Sequence, residues 1–334
     1  MKIYYKTLLL LMLATFSSIA QVKEANQNKT DSLQQKTILS LKEKFPATRI
    51  LNLEYGQSLS RKYTDKLFKQ KYSFGEIKSQ ETFTVTANIP LFKKRKWLVT
   101  GSVNYQFNAF ELQQTNAITN NTVSKTLDFH YVSSALSTTY FSALFKKPII
   151  YNASFIVDGN DKKMERIKGL LGFSFILKRT ANTTISLGAI VFIDPTSQIP
   201  FFPTFSYNHK FKNSSWEIDF ILPQRLLLRR FIGENGRFSM GTNFGATGFY
   251  AKINALNFAD TYQYSQLELK TGILYEHRIN NFIIGSIQGG LQNFLSNRLT
   301  EKGKPNKDYT YENKQDATGY FKVGFSIDPF AKKK

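Results

Sequence analysis

For chemistry the chain offers three histidines, no cysteine and carboxylates scattered along apolar segments. A hydrolytic His–Ser pair on one strand needs the two residues two positions apart, so that they share a face and the imidazole can take the hydroxyl proton. Two residues after His130, His209 and His277 stand Val132, Phe211 and Ile279, and none of these makes that pair. A lipid-modifying enzyme would instead need a Ser–His cluster built across neighbouring strands. Glu54, Asp128, Glu217, Asp219, Glu268 and Glu276 are spaced to meet Lys168, Arg225, Lys270 or Lys322 in ion pairs rather than in acid/base dyads. Gly-rich phosphate loops and His/Asp metal clusters are absent from the sequence. The missing cysteines remove thiolate chemistry and disulfides. The expectation is a protein that is not an enzyme, with no catalytic, cofactor-binding or metal-binding residue and no cofactor.

Cations are the more informative charges. The formal net charge is +21, and about +19 remains once Lys2 and Lys6 leave with the N-terminal signal described below. Nucleic acid is the usual partner of so basic a chain, but the distribution argues against it. Lys93, Lys94, Arg95, Lys96, Lys146, Lys147, Lys178, Arg179, Lys212 and Arg278 all fall in short turns between apolar segments, as the tail Lys332 to Lys334 falls at the end. Gathered at one end of a barrel, they would form a basic periplasmic rim. Such a rim suits anionic lipid headgroups, at about 1 kcal/mol per cation near an anionic surface, or it concentrates an anionic solute at a pore mouth. Solvated turns that also block edge pairing are the plainer reading.

The elements that hold these residues alternate with period two. Trp97, Val99, Gly101, Val103, Tyr105, Phe107 and Ala109 share one face, while Thr100, Ser102, Asn104, Gln106 and Asn108 share the other. Strands are expected near 49–59, 80–91, 96–110, 126–141, 148–158, 165–178, 183–193, 203–211, 215–222, 225–232, 237–250, 263–276, 281–293 and 317–328. Alternation is weak near Val132 to Leu136, where a bulge would explain a slip of phase. It is also weak at Phe282-Ile283-Ile284. The connections are alternately long and short, with Pro223-Gln224 alone out of place and long loops at 61–77 and 294–316. This is the pattern of an all-β, antiparallel, up-and-down transmembrane barrel of about fourteen strands, within a range of about twelve to sixteen. Both termini then lie on the short-turn, periplasmic side.

Residues 1–20 carry Lys2 and Lys6, an apolar run from Leu8 to Phe16 and Ser18-Ile19-Ala20, which reads as a secretory signal peptide. Residues 21–48 form a polar leader or plug, 49–330 the barrel and 331–334 a basic tail. The last strand, with Phe321, Val323, Phe325 and Ile327 alternating with Lys322, Gly324, Ser326 and Asp328, resembles the C-terminal signal read by the barrel assembly machinery. The run Trp216-Glu217-Ile218-Asp219-Phe220-Ile221-Leu222-Pro223-Gln224-Arg225-Leu226-Leu227-Leu228-Arg229-Arg230, with Gly241-Thr242-Asn243-Phe244-Gly245 and Gly248-Phe249-Tyr250, resembles an outer-membrane barrel family of unknown function from Bacteroidetes-type bacteria. The resemblance implies a barrel in the cell outer membrane and no site residues.

Two functions follow as expectations. A channel or transporter for small solutes or lipid-like molecules requires an open, polar lumen. A non-conducting envelope scaffold or partner-binding barrel would have a lumen plugged by side chains or by residues 21–48. The expected partners are outer-membrane lipids, the assembly machinery and an anionic solute or headgroup, with no nucleic acid.

Overall fold

In the computed structural model the period-two segments pair edge to edge into one closed ring. It describes residues 45, 46, 48–194, 197–212, 214–253, 255 and 258–328. The strands are β1 Leu51–Ser58, β2 Arg61–Leu67, β3 Gln70–Lys94, β4 Trp97–Asn116, β5 Thr122–Leu144, β6 Lys147–Gly159, β7 Met164–Arg179 and β8 Thr183–Ile193. They continue as β9 Phe201–Lys210, β10 Trp216–Leu222, β11 Arg225–Ile232, β12 Gly236–Lys252, β13 Thr261–Arg278, β14 Ile283–Glu301, β15 Tyr311–Gln315 and β16 Thr318–Ile327. Each pairs antiparallel with its neighbours, and β1 closes the ring between β16 and β3. Because β2 extends β1 past Leu59 and Ser60, and β16 extends β15 past Asp316 and Ala317, sixteen segments make fourteen wall strands. The proposed signal peptide, most of the leader and the basic tail lie outside the described residues.

Alternation decides which face meets which solvent. Leu136, Leu171, Leu187, Ile273, Ile287 and Leu291 are each half or more exposed on the outside, whereas Asn108, Gln266, Gln292 and Asp158 are almost wholly buried inside. That inverts the burial of a water-soluble protein, and only lipid can cover such an exterior. Every strand of the wall is paired on both sides, so the closed ring satisfies backbone groups that hydrocarbon cannot. At one close approach, Gly290 on β14 faces Gly272 on β13, and a Cβ on Gly290 would lie 2.1 Å from the Thr271 carbonyl oxygen.

Two sequence expectations need correction. The segments 61–77 and 294–316 are mostly wall rather than loop: β2 and β3 form a hairpin through Phe68 and Lys69, and β2 pairs with β15. Their polar composition hid this, because strands rising beyond the lipid need no apolar face. Likewise β5 pairs with β4 and β6 without a bulge. Its outward face runs Asp128, His130, Val132, Ser134, Leu136, Thr138 and Tyr140, while Phe129 and Tyr131 point inward and mimic a slip of phase.

Wall height is uneven. β3, β4 and β5 have 25, 20 and 23 residues, and β12, β13 and β14 have 17, 18 and 19. By contrast β10 and β11 have 7 and 8, joined by the two residues Pro223 and Gln224. The out-of-place short link of the sequence is therefore the low point of the wall.

Candidate functional site

The inward-facing positions build two zones along the lumen. Towards the far end, away from the first and last described residues and from the terminal end that these define, the tall strands β5 and β12 meet across it. The strands β12, β13, β14, β15, β2, β3, β4 and β5 then enclose a tube of about eight strands, a girth that side chains fill. Phe249 stacks on Phe129 at 4.0 Å and on Tyr264 at 4.6 Å, with Phe110 at 6.0 Å. Tyr63 and Ile77 complete this core. Beside it, Tyr131 and Tyr250 each donate to Asp158 at 2.8 Å, and Lys168 pairs with the same carboxylate at 2.5 Å. Below it, Glu268 accepts from Gln266 at 2.7 Å and Gln292 at 2.5 Å and pairs with Lys270 at 2.6 Å. The carboxylates of Asp158 and Glu268 are thus each engaged by three partners within the wall rather than held open for a solute.

At the terminal end the contents are different. A cavity of about 450 Å³ is bounded by β9 to β14, β16 and β1, and its walls carry Arg49, Lys210, Arg225, Arg229, Arg237 and Lys322. Glu54, Glu217 and Glu276 share those walls. Glu276 binds Arg49 at 2.6 Å and Arg237 at 2.7 Å. Asp219 binds Arg225 and Arg229, both at 2.6 Å, and Lys322 meets Glu54 at 3.1 Å. A smaller cavity of about 150 Å³ shares Glu54 and Lys322 and leads toward the Glu268 network.

Phe45 and Pro46, at the described end of the leader, reach into this chamber. Phe45 is 2% exposed, lies 6.1 Å from the Phe231 ring and sits under the Arg237 guanidinium at 4.8 Å. Its carbonyl accepts from Arg237 at 3.2 Å. So the described end of the leader lies inside the mouth.

The expected carboxylate pairs are largely as the sequence suggests: Glu54, Asp219 and Glu268 each pair with an expected cation, and Lys168 pairs with Asp158 instead. Asp128 instead faces outward beside His130, at 3.8 Å. The histidines touch Tyr105, Thr183 and Tyr275, with no serine partner among the described contacts. The basic rim residues all sit at the terminal end, in or next to the turns joining β3–β4, β5–β6, β7–β8, β9–β10 and β13–β14. They are exposed except Arg278, which is half-buried and donates to Asn280 and Asn281. None of them lines the chamber. Of the cations that do, Arg225 and Lys322 are among the ion-pair partners expected from the sequence, whereas Arg49, Lys210, Arg229 and Arg237 are not. One signal was available: Arg225 and Arg229, four apart on a strand, share a face with buried Leu227.

No family model and no curated protein matches the chain. Among solved structures it is similar to an outer membrane channel from Pseudomonas putida F1, with 8% identity over 85% of this chain and 97% of that one and a TM-score of 0.36. It is similar to the transport unit of the autotransporter AIDA-I from Escherichia coli, at 11% identity, 91% and 100% coverage and a TM-score of 0.34. It is also similar to the TodX monoaromatic hydrocarbon channel, at 7% identity, 84% and 91% coverage and a TM-score of 0.35. Likenesses this distant carry no weight of their own, and the barrel rests on the strand pairing given above.

Proposed function

We propose that the chain is an outer-membrane barrel, its termini in the periplasm, that takes small solutes or lipid-like molecules into its terminal chamber and passes them when the side chains filling the far end of the lumen part. A secretory signal followed by a closed barrel with a lipid-covered exterior supports the location. The observation that carries the function is the terminal chamber: charged walls around about 450 Å³ of space are costly to build unless water or a solute fills it. Under this reading β16 is the strand offered to the assembly machinery, and the rim from Lys93 to Arg278 holds headgroups of the inner leaflet. The chain works without a catalytic group or cofactor.

The filled far zone favours a second reading, a non-conducting scaffold. Planar-bilayer recordings of the refolded mature chain separate the two. The transport reading expects little conductance from the native chain and stable channels once Phe129→Ala and Phe249→Ala remove the facing rings. Silence from the doubly substituted protein moves the weight to the scaffold.

A further inference from the structure

The chamber holds two triads of one design. In one, Glu276 is shared by Arg49 and Arg237; in the other, Asp219 is shared by Arg225 and Arg229. One carboxylate between two guanidiniums leaves each triad with one surplus positive charge. The remaining wall charges balance, since Lys322 pairs with Glu54 and Lys210 stands opposite Glu217 in the β9–β10 register. A guanidinium carries five donors in a fixed fork, so one shared carboxylate does not exhaust it. Each of the three nitrogens of Arg237 nonetheless has a partner, Nε and Nη2 on Glu276 and Nη1 on the Phe45 carbonyl. The same is not true of Arg49 and Arg229. Arg49 Nη1 and Arg229 Nε are both buried and have no hydrogen-bond partner, one orphan donor in each triad. Their side chains are 14% and 15% exposed, so bulk water reaches them poorly.

We infer that the chamber binds a small solute carrying two negative charges on oxygen, one set against each Arg–carboxylate–Arg triad. A dianion matches the surplus charge, and its oxygens supply acceptors for the guanidiniums of Arg49 and Arg229, which line the chamber, in charge-assisted hydrogen bonds. The apolar part of the wall, Phe231, Leu274 and Ile284, leaves room for a short hydrocarbon body. This inference rests on the transport reading and names its substrate class. Phe45 lies under the Arg237 guanidinium and takes one of its donors, which makes the leader's end part of the site.

The test is calorimetric titration of the full mature chain, refolded in detergent, with inorganic phosphate and with succinate at a pH where both are dianions, and with chloride as the monoanion. Phosphate or succinate binds and chloride does not compete at equal concentration. Arg229→Gln and Arg49→Gln each weaken binding about tenfold or more, as loss of a charged hydrogen bond does. Arg49 precedes β1, so its replacement leaves the wall strands unaltered. Arg230→Gln, on the outward face over the Trp216 ring, binds like the native chain. Displacement of phosphate by a short-chain phosphatidic acid assigns the same chemistry to a lipid headgroup; its absence assigns it to a free solute. Native-like binding by both the Arg49 and Arg229 variants, or no binding of either dianion, overturns the inference. Conductance of the Phe129/Phe249 variant without anion preference would then show that transport stands and the substrate class falls.

Discussion

The terminal and far halves of the lumen are lined by the inward positions of the same barrel, yet one is a charged chamber and the other is solid. The difference lies in what stands at those positions. Arginines that share carboxylates line the walls of the one, which leave about 450 Å³ between them. Phe110, Phe129 and Phe249 instead have ring faces to offer across the lumen, and β5 and β12 approach until those faces stack. Fourteen strands are wide enough for a lumen, and the far half loses it by pinching to the girth of about eight. Openness is therefore a local property of the inward side chains rather than of strand number.

The strongest way to break this contrast is Phe249→Ala. The ring is 4% exposed at the centre of the stack, and its removal should cost about 4 kcal/mol in urea unfolding from lipid vesicles. An unfolding midpoint equal to that of the native chain would mean that the far half is not a packed core.

Much of the wall was legible in the sequence, because lipid outside and water inside impose period two on strands such as Trp97–Asn116. The far zone was not legible. An inward aromatic pair, Phe129 and Tyr131, has the same letters as an outward one, and only the partner strand shows which side it faces. The extensions in β2, β3, β14 and β15 escaped notice because strands beyond the lipid lose their apolar face. The chamber was half visible: Arg225, Asp219, Glu276 and Glu54 stood out as lumen charges, but the sharing of one carboxylate by two arginines depends on contacts between residues as distant as Arg49 and Glu276.

A smaller effect sharpens the comparison at the border of the two zones. Asp158→Asn removes the charge that accepts from Tyr131 and Tyr250 and pairs with Lys168, and should lower stability by about 2 kcal/mol. Because Asp158 serves packing and not solute, phosphate affinity in the terminal chamber should be unchanged. A parallel loss of affinity would join the two halves that the contrast separates. The least effect is expected from the rim. Lys94, Arg95 and Lys96 replaced together by glutamine should shift unfolding by less than about 0.5 kcal/mol, since they are exposed and away from the chamber. Their replacement should weaken association with anionic vesicles instead, measured by flotation; undiminished association would remove the rim's proposed role with headgroups.

The contrast between halves is tested most directly by side-specific labelling, for which the absence of cysteine makes the chain well suited. Ser286→Cys places a thiol in the terminal chamber, and Gln266→Cys places one in the far zone where the native side chain is 1% exposed. With the protein oriented in vesicles and a charged, impermeant thiol reagent, the account predicts that Ser286→Cys reacts only from the side of the termini and that Gln266→Cys reacts from neither. Labelling of Ser286→Cys at equal rates from both sides would contradict it, because the lumen would then be open from end to end.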